Sequence, residues 1–87
     1  MTDAELARVI GDNVRAARLH AGFSQAALCA LTAIPVPHIS RLEKGVHLPS
    51  VATLKKVADA LELPICAFLD PPPAAGHVAP KKGGKRK

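Results

Sequence analysis

Helix-stopping and helix-starting residues cut this chain into apolar-periodic segments. Gly22, Gly45, the Pro49-Ser50 pair and Pro64 all fall where one helical pattern ends or the next begins. No strand signal interrupts them, so the segments must bury their apolar faces against one another, which predicts an all-α fold.

The first segment opens on Thr2 and Glu5 at capping-box spacing. Leu6, Ile10, Val14, Ala17 and Ala21 then recur at helical intervals, which predicts a helix over about 3–21. Ser24 offers a cap to "QAALCAL", about 25–31, with Leu28 and Leu31 on one face. A tight turn leads to a third helix, about 36–43, whose core face is Ile39 and Leu42. Pro49 and Ser50 start a fourth, about 50–61, striped by Val51, Leu54, Val57, Ala58 and Leu61. Pro64 opens a one- to two-turn segment that returns Ile65, Phe68 and Leu69 to the core before "DPPP" ends the fold.

Pro35 and Pro37 stand at the start of the third helix. The first amides of a helix have no intrahelical acceptor, so a proline there gives up no hydrogen bond and arrives with φ already set. With Pro35 as N-cap and Val36 as the first helical residue, both prolines open the helix, although Pro37 disfavours the helical region for Val36.

The chain has 87 residues, which is one small domain. Only 2% of them are aromatic, so burial is expected to come mainly from close-packed Ala, Val, Ile and Leu. A core of that size supplies about 3–5 kcal/mol of net stability, and self-association would supplement it.

The formal charge of +5 is unevenly placed, because Lys81, Lys82, Lys85, Arg86 and Lys87 provide five of the twelve Lys and Arg. The other seven balance the seven Asp and Glu. Residues 1–70 are therefore expected to form the domain. Residues 71–87, rich in Pro, Gly and Lys, are expected to form a disordered basic tail. Two readings of that tail stand side by side: an arm that tracks nucleic-acid phosphates, or a solvated end.

Cys29 and Cys66 lie in apolar runs without CxxC or Cys/His spacing. They read as buried free thiols of a reducing cytoplasm, with no metal site and no disulfide. The acidic N-terminus and the lack of a long apolar run argue against a signal peptide and a membrane span, so a cytoplasmic location is expected. There is no Ser/His/Asp set, no metal spacing and no phosphate loop, hence no expected cofactor, catalytic residue or enzymatic activity.

Two short helices joined by a few residues suggest a helix-turn-helix. The longer string from Ile10 to Leu69 resembles the Cro/repressor type of helix-turn-helix domain. The resemblance rests on Gly11, Val14 and Arg18, on "GFSQAAL", and on "ISRLEKG" followed by "LPSVATLKKVADAL". It implies a compact five-helix repressor-like fold, a homodimer on operator DNA, and action as a repressor or autoregulator. Cys29, Ala33 and Glu62 depart from the usual Ala, Gly and Gly. A left-handed backbone at Ala33 or Glu62 would cost about 1 kcal/mol each. Pro35, Val36 and Pro37 replace the small polar residues that commonly begin the recognition helix.

Residue by residue, the resemblance implies that Val36, Pro37, His38 and Arg41 face the major groove, with Ser40 at the backbone. Arg41 can pair in bidentate fashion with guanine. Ser24 and Gln25 would meet a phosphate at the second helix's N-terminus, and Ser24 serves equally as a cap. Lys44 and His47 would reach the opposite strand. Arg18 and Glu43 match a structural ion pair. Leu63, Ile65, Cys66 and Phe68 are candidates for a dimer interface or, alternatively, complete the monomer core. The expected partner is double-stranded DNA; a protein-interaction module of antitoxin or adaptor type, holding a partner protein, is the competing reading.

Overall fold

The computed structural model describes residues 1–70. Four α-helices and one 3-10 turn follow in order: α1 (Asp3–His20), α2 (Gln25–Thr32), α3 (Val36–Lys44), α4 (Val51–Leu61) and the turn Ile65–Phe68. The expected all-α helix-turn-helix architecture is present, but its fifth element is a single 3-10 turn, not a helix. With Pro64 before it and "DPPP" after it, the segment has too few residues to propagate an α-helix. The expected tail, 71–87, lies outside the described residues.

Each helix start has a local cause. Thr2 Oγ1 accepts from the Glu5 amide at 3.1 Å, and the Glu5 carboxylate accepts from the Thr2 amide at 2.7 Å, closing the capping box. Those bonds hold the Glu5 carboxyl below its usual range. Their contribution is therefore complete above the ordinary value of 4.5 and is lost as pH falls through the lowered one. Ser24 caps α2 through the Ala27 amide, and Ser50 caps α4 through the Thr53 amide. The N-cap of α3 is Pro35, at φ −58° and ψ 145°, with no side-chain cap. Its carbonyl accepts from the His38 and Ile39 amides, so Pro37 costs the ladder nothing.

The core joins all five elements through Ile10, Val14, Leu28, Ile34, Ile39, Leu42, Leu54, Val57, Ala58 and Phe68. Helices α1 and α3 are in tight contact at Gly11, where a Cβ would stand 2.5 Å from the Leu42 carbonyl oxygen and 2.8 Å from that of Glu43. Gly45 ends α3 at φ 70°, and a Cβ there would meet the Arg8 Cα at 2.8 Å. Only glycine satisfies both the left-handed turn and that contact.

Several expected core positions are turned outward. Leu31 is 58% exposed, because the buried face of α2 runs from Leu28 to Thr32, four residues on. The Thr32 hydroxyl is satisfied by donating to the Leu28 carbonyl and accepting from the Ile34 amide. Val51, the first residue of α4, is 73% exposed, and Leu69 is 38% exposed. Cys29 is half-buried and Cys66 exposed, so the expectation of buried thiols fails for Cys66. The tight period of the 3-10 turn brings Ile65 and Phe68 onto the core and leaves the intervening Cys66 outside.

Among the described residues, Ala33 at φ 62° and Glu62 at φ 59° are the non-glycine residues with positive φ, at the C-terminal ends of α2 and α4. Both are exposed, with little packing to lose. Ala33→Gly is expected to relieve the left-handed strain and stabilise the chain by about 0.5–1 kcal/mol, raising Tm by about 3–6 °C in a thermal melt. An unchanged or lowered Tm would show that strain at this turn is not limiting.

Candidate nucleic-acid interface

Helix α3 divides cleanly between its two faces. Ile39, Leu42 and Glu43 are buried, while Pro37, His38, Arg41 and Lys44 are exposed and follow helical spacing along the opposite side. Val36 and Ser40 are half-buried at the edges of that strip. The single carboxylate of the helix, Glu43, points inward, so the exposed charges of α3 are Arg41 and Lys44 alone.

Glu43 is neutralised from α1. Its Oε2 accepts from Arg18 Nε at 2.6 Å and its Oε1 from Arg18 Nη2 at 3.0 Å, while Arg18 Nη1 donates to the Phe23 carbonyl at 2.8 Å. Both side chains are nearly withdrawn from solvent, at 9% and 3% exposure. The hydrogen bond to Glu43 raises the Arg18 pKa above its ordinary value; desolvation opposes the rise and the nearby carboxylate charge adds to it. A raised cationic pKa stabilises the fold at every pH below the unfolded arginine value, which is the whole working range. The expected ion pair thus ties α1 to the end of α3 and, through Phe23, to the turn before α2.

At the start of α2, Ser24 is exposed and its Oγ is engaged as the cap. Gln25 is half-buried and donates from Nε2 to Glu43 Oε1 at 3.1 Å. That bond crosses 18 residues of sequence, and no local spacing signals it. The α3–α4 loop places His47 in solvent, with only a long 3.4 Å approach between its Nδ1 and the Leu48 carbonyl. His38 and His47 also line a mostly apolar cleft of about 260 Å³ between α3 and the start of α4.

The remaining candidates separate by burial. Phe68 is 1% exposed and belongs to the core, and Ile65 is half-buried and packs against it. Leu63, at 39% exposure, and Cys66 present surface. An interaction that the sequence did not signal holds this end of the domain: Asn13 Nδ2 donates to the Phe68 and Asp70 carbonyls at 2.9 and 2.6 Å. Among the described residues no group of three or more His, Cys, Asp or Glu could hold a metal ion, and no helix is long and apolar enough to cross a membrane.

Known proteins share this fold. The family model described as Helix-turn-helix matches residues 14–68. An HTH-type transcriptional regulator of Escherichia coli K12, SutR, is 31% identical over 70 residues, covering 80% of this chain and 39% of its own length. The crystal structure of an HTH_3 family transcriptional regulator from Vibrio cholerae superposes with a TM-score of 0.73 at 31% identity, over 77% of this chain and 38% of that one. That of a hypothetical transcription factor from Neisseria, NHTF, also gives 0.73, at 26% identity over 83% and 84% of the two chains. This chain therefore spans about two fifths of SutR and of the Vibrio protein. On the extent of these matches and the helix geometry that underlies them, the chain belongs to the Cro/repressor-type helix-turn-helix DNA-binding family.

Proposed function

We propose that this chain is a sequence-specific regulator of transcription that binds duplex DNA as a homodimer and lays α3 in the major groove of each half-site. The observation that carries this reading is the charge arrangement of α3. Glu43 is turned inward and neutralised by Arg18, so an exposed strip containing Arg41 and Lys44 is left without an acid to repel phosphates. Similarity to transcriptional regulators of Escherichia coli and Vibrio cholerae supports it.

In this reading Arg41 pairs with guanine N7 and O6, His38 makes one further polar contact, and Val36 and Pro37 meet thymine methyls. Ser40, Lys44 and His47 flank them at the backbone, and the start of α2, with Ser24 and Gln25, holds a phosphate. Residues 1–70 act as the DNA-binding unit, and the basic segment 71–87 adds sequence-independent attraction. The exposed Leu63 and Cys66 contribute to the dimer, whose half-sites lie about one helical turn apart. Such a protein works in the cytoplasm, as repressor or autoregulator.

Arg41→Ala is expected to reduce discrimination at one guanine per half-site by about 1–3 kcal/mol and to leave the thermal melt unchanged, as read by competition binding with duplexes altered one base pair at a time. Equal preference in the variant and the parent would remove Arg41 from base readout.

A second reading, a module that holds a partner protein, is favoured by the apolar surface beside α3, where Val46 is 62% and Val51 73% exposed. Under that reading a protein co-purifies with the chain and no duplex is preferred.

A further inference from the structure

We propose that Glu43 is a positioning residue for the phosphate contact of α2: it holds the Gln25 amide so that the remaining Nε2–H is presented to a DNA phosphate beside Ser24. This rests on the reading of the chain as a DNA-binding protein and assigns Glu43 a task beyond its ion pair with Arg18.

A carboxylate oxygen bonded to a guanidinium only accepts, so the side of Gln25 that meets Glu43 Oε1 at 3.1 Å is the NH2 group. The orientation of the amide is thereby fixed by chemistry. One Nε2–H is spent on Glu43, and the other, with Oε1, has no partner among the described residues. Gln25 is the first residue of α2, where the Ser24 hydroxyl already takes the Ala27 amide while the amides of Gln25 and Ala26 precede the helical ladder. The free side-chain donor thus adds to a helix end that favours an anion.

Glu43 can do this without repelling the phosphate, because Arg18 balances its charge and its side chain is only 3% exposed. It also lies two residues beyond Arg41 on α3, so one carboxylate spans the phosphate anchor and the base-reading helix. A free glutamine would have to be immobilised on binding DNA; one already held has less freedom to lose. That difference corresponds to about a three- to tenfold gain in affinity.

The test uses the full chain and the duplex it enriches most from a random pool, prepared with one phosphate at a time neutralised as methylphosphonate. The parent is expected to bind three- to tenfold more weakly when one particular phosphate per half-site is neutralised. Gln25→Met removes the donor at equal length, and Glu43→Asp keeps the charge for Arg18 but withdraws from Gln25. Each variant should bind the unmodified duplex more weakly by a similar factor and lose sensitivity to that phosphate, with base preference retained. A purely structural role for Glu43 would weaken binding without erasing the response to one phosphate.

The proposal is overturned if Glu43→Asp keeps the parent's sensitivity to that phosphate, or if Gln25→Met binds the enriched duplex as tightly as the parent. Should Glu43→Asp fail to fold, the parent decides by nuclear magnetic resonance: slowed exchange of one Gln25 Nε2 proton in the free protein is expected, and exchange of both at the rate of a solvated glutamine overturns the hold. If no duplex is enriched at all, the DNA-binding reading fails and takes the proposal with it, an outcome distinct from enrichment that is indifferent to Gln25.

Discussion

Arg18→Met is expected to destabilise the chain by about 3–5 kcal/mol, enough to leave much of it unfolded at 37 °C in a domain whose net stability is of that same order. The methionine keeps most of the apolar stem and removes the guanidinium, so the loss is electrostatic and not a cavity. Glu43, at 3% exposure, would lose both Arg18 donors and keep only Gln25 Nε2 on its Oε1, and the Phe23 carbonyl would lose its donor as well. An uncompensated buried carboxylate is the costly product; the pair itself contributes less, because withdrawing two ions from water offsets most of their attraction. The double variant Arg18→Met with Glu43→Leu should therefore be more stable than Arg18→Met alone, by about 2 kcal/mol, since it leaves no buried charge. Urea denaturation of the single and double variants measures this. If the double variant is as unstable as the sum of its parts, the pair acts through its hydrogen bonds to Phe23 and Gln25 and not through charge. For the same reason Arg18 variants are poor probes of DNA contact: they would lose binding by unfolding.

Gly11→Ala is the second large effect. The new methyl would stand 2.5 Å from the Leu42 carbonyl oxygen, 2.8 Å from that of Glu43 and 3.0 Å from the Glu43 carbonyl carbon. All three are backbone atoms, so no side chain can rotate away and α3 as a whole must shift from α1. Overpacking of this kind costs about 3 kcal/mol, and the better helix propensity of alanine returns about 1, for a net loss of about 2 kcal/mol. Gly11→Val should lose more, because it adds volume at the same contact without alanine's propensity. Denaturant midpoints read both changes. A neutral Gly11→Ala would mean that α1 and α3 separate easily, which would contradict the placement of α3 by this contact. Because the displaced helix carries Arg41, the alanine variant should also bind DNA more weakly under conditions where it remains folded.

The fold was legible wherever a local signal set it. Thr2 with Glu5, Ser24, Ser50 and the Pro35–Pro37 opening mark helix starts by chemistry that acts within a few residues, and the observed starts at Asp3, Gln25, Val36 and Val51 fall at or within one residue of the expected ones. Ala33 and Glu62 adopt the left-handed backbone that their positions implied. Tertiary context decided the rest. Leu31 shares a helical face with Leu28 by spacing, yet the neighbours of α2 take up Thr32 and leave Leu31 in solvent. Phe68 could have belonged to an interface or to the core until its neighbours were known. The candidate site was legible as positions along α3, because period fixes which residues share a face. The bond from Gln25 to Glu43 was not, because two helices must first be docked before a side chain on one can orient a side chain on the other.

Whether α3 reads base sequence is decided by selection from a random duplex pool with the full chain and its Arg41→Ala variant, at about 150 mM salt, where sequence-independent attraction by the basic segment is screened. The parent is expected to enrich an inverted repeat with a guanine at one position of each half-site, and the variant to lose that preference alone. Enrichment of the same guanine by the variant, or capture of duplexes without any shared sequence by the parent, would contradict it.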